Sequence, residues 1–146
     1  MLRRRLGDDG FLQMLGELCR RHRFRSISTE EFRLLAAEFL PQDSPDPELE
    51  SFFDAWVYGV GIPRLTFTHS LKGEPPKIRV AGTVAQTETP ADFTTLVPLE
   101  IRFAGQPSQI HWIRTSDEPS AVNLTLSRKP SEIVFNPGDS VLALRR

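Results

Sequence analysis

The stretch WVYGVGIPRLTFTH, residues 56–69, decides the fold, because within it the spacing of apolar residues changes from helical to alternating. Before it, Leu49, Phe52, Phe53, Trp56, Val57 and Val60 recur every three or four residues, the stripe of an amphipathic helix with a wide aromatic face. Gly59 and Gly61 can end that helix in the left-handed conformation, and Pro63 prevents its continuation. After it, Leu65, Phe67 and His69 alternate with polar neighbours, the period of a strand with one wet face. Pro63 therefore separates two architectures: a helical segment over 1–62 and a β-sandwich domain over 63–146.

Toward the N-terminus the helical reading continues. Asp46 is a good cap for the Trp56 helix, with Pro47 at its first position, where a missing N–H costs nothing. Ser28-Thr29-Glu30-Glu31 reads as a capping box, the Ser28 hydroxyl accepting from the Glu31 amide and the Glu31 carboxylate from the Ser28 amide. Phe32, Leu35, Ala36 and Phe39 form the stripe behind it. Phe11, Leu12, Leu15, Leu18, Cys19 and His22 form another, placing Cys19 as a small core residue. Gly7-Asp8-Asp9-Gly10 breaks the helix before that, and Asp8 or Asp9 can cap the one that follows.

Toward the C-terminus, alternation recurs at Ile78–Val84, Val97–Phe103, Ile110–Trp112, Val122–Leu126 and Ile133–Phe135, with a last short strand expected over Val141–Leu144. Lys72-Gly73, Gly105-Gln106-Pro107, Pro130 and Asn136-Pro137-Gly138 supply the turns. Trp112 alternates in step with Ile110 and is expected to face inward. The fold class is thus α+β: three helices, then an antiparallel, immunoglobulin-like β-sandwich of about seven strands.

Composition narrows the function. A hydrophobic fraction of 39% and a charged fraction of 25% describe a soluble globular chain, and no apolar run reaches the length of a bilayer span. The start MLRRRLGDDGF has no apolar core behind its arginines and is not a signal peptide. Net charge is −1 but unevenly spread. Residues 1–25 hold seven Arg against three acids, a net of +4, and 26–62 hold eight acids against Arg33, a net of −7. Neighbouring segments of opposite sign suit mutual contact. The run Arg20, Arg21, His22, Arg23, Arg25 is a helix end facing its own dipole, and no nucleic-acid partner is expected.

Catalytic patterns are missing: HExxH, a glycine-rich phosphate loop and GxSxG are all absent. One cysteine excludes a disulfide framework and a cysteine-based zinc site. His22, His69 and His111 lie far apart and none has a second ligand type at helical spacing. Glu30/Glu31 and Asp117/Glu118 read as a cap and a turn, and Glu48 and Glu50 flank a helix start. No catalytic, cofactor-binding or metal-ligating residue is assigned to this chain.

One resemblance goes further. The ordered words LRRRLGDDGFLQML, HRFRSISTEEF and FFDAWVYGVGIPRL, within residues 2–71, resemble the M1 family of zinc aminopeptidases, in the region after the active site. The matching positions are Leu2, Arg3, Leu6, Gly7 and Phe11; Ser28, Thr29 and Phe32; and Phe52, Phe53, Trp56, Gly61 and Pro63. Residues 72–146 match only by strand pattern. The family's HExxH, distant Glu and tyrosine precede the matching region, so zinc is implied for a parent protein and for no residue here. The resemblance implies a non-catalytic C-terminal fragment, not an enzyme by itself, whose partner is the rest of the parent polypeptide and whose Met1 is internal. Two other readings stay open: a stand-alone sandwich that binds a peptide or protein through an aromatic patch or free sheet edge, with Trp112 as the place to look, and a catalytically dead scaffold relative.

Overall fold

A computed structural model describes residues 1–144. The chain forms two compact units, Met1–Tyr58 and Gly59–Arg146.

In the first unit, α1 spans Leu2–His22 and α2 spans Thr29–Ala37. A single residue interrupts α1: Gly7, at φ 75 and ψ 168, a geometry that glycine adopts without a Cβ penalty. The break is tighter than the four-residue turn expected from the sequence, and the Asp8 carboxylate accepts from Arg3 Nε at 2.8 Å. The capping box of α2 forms as expected: the Glu31 amide donates to Ser28 Oγ at 3.2 Å and the Ser28 amide to Glu31 Oε2 at 2.8 Å. Leu6, Met14, Leu35, Ala36, Leu49 and Phe53 make the core.

The third helix differs from expectation. Helix α3 covers only Glu50–Phe53 and passes into a π-helical turn, Asp54–Tyr58. Asp46 does cap it, accepting from the Ser51 and Phe52 amides at 3.3 and 3.0 Å. Leu49 intervenes in the left-handed conformation, so Pro47 lies ahead of the helix instead of within its first turn. The buried Asp46 carboxylate also lies 3.5 Å from the buried Arg5 guanidinium, tying the start of α1 to this corner. Widening to a π turn breaks the 3.6 period, and Val57 and Val60, expected in the core, are exposed.

Among the described residues the second unit holds six strands: β1 Arg64–Lys72, β2 Ile78–Thr87, β3 Thr95–Phe103, β4 Gln106–Thr115, β5 Ser120–Leu126 and β6 Glu132–Phe135. They form two antiparallel sheets, ordered β1-β2-β5 and β4-β3-β6. Ile78, Val80, Val84, Val122 and Leu126 of the first sheet meet Leu99 and Ile101 of the second in one closed core, as in a small sandwich. The seventh strand expected at Val141–Leu144 is absent from both sheets: those residues follow a short 3₁₀ turn, Pro137–Asp139, and the Leu144 amide donates to the Pro63 carbonyl.

Register decides which side chains face inward. Leu99 pairs with His111 and Val97 with Ile113, so His111 shares the core face. Trp112 pairs with the buried Pro98 and belongs to the opposite face, so the inward orientation expected for it is corrected to a half-buried position outside the sandwich core. Alternation identifies which residues share a face with Trp112, but not which of the two faces meets the other sheet.

Candidate functional site

The chemistry-bearing residues are dispersed. His22 ends α1, His69 is exposed on β1, and His111 lies on β4. Among the described residues no three of His, Cys, Asp and Glu gather as a metal site would require. Burial holds the His111 imidazole below its usual pKa, and its buried Nε2 meets no hydrogen-bond partner among the described residues. Glu30 pairs with Arg33, Glu31 serves the α2 cap, and the Glu118 amide donates to Asp117 Oδ1. The Glu48 carbonyl accepts from Arg33, and Glu50 opens α3. The carboxylates of Glu30, Glu31 and Asp117 thus serve an ion pair, a helix cap and a turn.

Cys19 is a correction: it is exposed. Each residue turns an α-helix by about 100°, which carries Cys19 past Leu18 and away from the face of Met14 and Phe11. It joins Leu12 and Leu15 on a second apolar stripe that points to water, with Leu12 60% exposed.

The basic run is partly neutralised. Glu17 takes Arg20 and Arg21 together, and their hydrogen bonds, Arg20 first, pull its carboxyl down to about 2. Arg21 also forms a two-point pair with Glu38 of the following segment, at 2.8 and 2.7 Å. That accounts locally for the opposite charges of the two segments.

An open groove of about 500 Å³ lies in the second unit, beside β1 and β6. Val84 and Val80 are core residues paired with Phe67 and Leu71, so Leu65, Phe67, His69 and Leu71 form the inner face of β1. Strand β6 has only four residues and covers part of that face. Phe135 stacks on Phe67 at 5.2 Å, whereas His69, stacked on Phe67 at 4.9 Å, is exposed along with Leu71. Gly82 makes room for the pair. A Cβ there would lie 2.5 Å from the Thr68 carbonyl oxygen and 3.0 Å from Phe67 Cε2. Sequence reading missed this groove, although the alternation of Phe67 and His69 opposite a strand glycine was its visible trace.

No described helix is long and apolar enough to cross a membrane. Compared with protein-family models, curated proteins and solved structures, the chain has no match among them. The molecule is thus placed by its architecture alone, an α+β chain of a helical unit and a small antiparallel sandwich.

Proposed function

We propose that this chain is a non-catalytic region of an M1-type zinc aminopeptidase, its helical unit buttressing a catalytic domain elsewhere in the same polypeptide. The observation that carries the reading is how much apolar surface the helical unit leaves wet. Seven of its hydrophobic residues are buried, and seven large ones are exposed, among them Leu12, Leu15, Phe24, Leu34, Val57 and Tyr58. The described residues of the sandwich unit include eleven buried and six large exposed ones. Scattered exposed apolar residues are ordinary, but as many exposed as buried suits a unit that packs against more protein. The ordered sequence words at Gly7, Ser28 and Gly61-Pro63 suggest which protein that is.

In such a parent, zinc polarises the substrate carbonyl and its bound water. The present residues supply rigidity beside that centre and no catalytic group. The immunoglobulin-like description of the sandwich belongs to the same proposal, the Leu144–Pro63 hydrogen bond being a contact from which a seventh edge strand can start. The test is direct: the purified chain is expected to hold no stoichiometric zinc and to release no amino acid from amide substrates. Zinc retained through dialysis and lost on replacing His22, His69 or His111 would contradict the proposal.

A second reading, a peptide-binding sandwich, is favoured by the groove at Phe67 and His69, not by Trp112. Peptide-dependent shifts confined to β1 and β6 in an NMR titration would support it.

A further inference from the structure

Phe24 is 94% exposed, the most of any large apolar residue described. Its backbone is left-handed, at φ 60, a conformation costly for a residue with a Cβ. The segment is nevertheless fixed at both ends. The Arg25 amide donates to the His22 carbonyl at 3.0 Å, and the Ser28 cap starts the next helix three residues later. The ring is therefore held out in water by its backbone.

The charges beside it are distinctive. Arg20 and Arg21 are committed to Glu17 and Glu38. Arg23 and Arg25 are exposed and have no ion pair among the described residues; Arg23 lies over the Phe24 ring at 5.1 Å. Neither the unit's core nor its ion pairs use this tripeptide. Phe24 takes the left-handed position of the turn that the Arg25–His22 hydrogen bond closes, so the turn fixes where its ring points, and the ring and the two cations enter neither the core nor an ion pair among the described residues.

We infer that Arg23-Phe24-Arg25 is an anchoring knob: Phe24 seats in an apolar pocket whose rim carries carboxylates that pair with the two arginines. Aromatic and arginine side chains dominate interface energetics when desolvated together, and charge complementarity selects the acidic rim. This inference rests on the functional reading above, which makes the pocket part of the parent polypeptide outside these residues.

The experiment uses the parent protein from its source cells, with a benzophenone phenylalanine analogue at position 24. Irradiation is expected to give one dominant cross-link to a peptide of the same polypeptide outside residues 1–146, with Asp or Glu nearby. Reversing both charges, Arg23→Glu with Arg25→Glu, is expected to lower its yield at least about tenfold. Cross-links confined to residues 1–146, or none, in a parent shown by mass to be longer would overturn the knob and leave the functional reading standing. A protein of 16.5 kDa alone would overturn both. Phe24→Gly separates docking from folding: glycine adopts φ 60 freely, so the isolated chain is expected to melt no lower than the parent sequence. A melting temperature lowered by several degrees would mean that Phe24 packs within the chain, and would overturn the inference.

Discussion

Thr115 Oγ1 on β4 donates to Gln86 Oε1 on β2 at 2.6 Å, joining the two sheets through a buried polar bond. Gln86 Nε2 completes the clasp, donating to the Phe93 carbonyl at 2.8 Å and to Thr89 Oγ1 at 3.2 Å. Gln86→Leu removes the donor to the Phe93 carbonyl and leaves the Thr115 hydroxyl only its longer bond to the Thr95 carbonyl at 3.3 Å; it is expected to cost about 1–3 kcal/mol, with Thr115→Val costing about 1–3 kcal/mol. The double variant should cost less than the sum, because it removes partners together. Urea denaturation checks this; strict additivity would show that the bond does not couple the sheets.

Gly82→Ala is expected to destabilise the sandwich by about 1–3 kcal/mol, because its Cβ would press on the Thr68 carbonyl oxygen and on Phe67. Thermal melts of the variant measure the cost. Exchange of amides on β1 should speed up more than exchange on β3, since β1 is the strand that must move.

His111 gives the sandwich a pH dependence of known sign. Its native pKa is depressed by burial, so the unfolded chain binds the proton more readily. The associated stability is present above the ordinary histidine range and is lost as pH falls through and below it. His111→Gln is expected to flatten stability between about pH 7 and pH 5. An unchanged slope in the variant would assign the effect to another group.

Cys19 supplies a probe of the exposed stripe. In the isolated chain it should react with a thiol reagent without denaturant, because it is exposed. In the parent protein the same stripe, with Leu12 and Leu15, is expected to be covered and the reaction slowed at least about tenfold. Equal rates in both would leave this stripe out of the docking surface.

Much of the fold was legible because local rules and packing agree. The Ser28–Glu31 box, the helix-to-strand switch at Pro63 and all six strands follow from spacing and turn residues. The third helix was not, because Leu49 turns left-handed and the hydrogen bonding widens after Phe53, neither of which leaves a periodic trace. Cys19 and Trp112 were misplaced for one reason. Period identifies which residues share a face, but the partner that makes a face dry is a tertiary fact. The groove was missed because it depends on β6 being too short to cover His69.

The most direct test of the central claim is the size of the protein in its source cells. An antibody raised against residues 1–146 is expected to detect a band several times heavier than 16.5 kDa, and peptide sequencing of that band should find an HExxH motif before the present residues. A single band at 16.5 kDa would contradict the account and leave the groove beside Phe67 and His69 as the place to look for a partner.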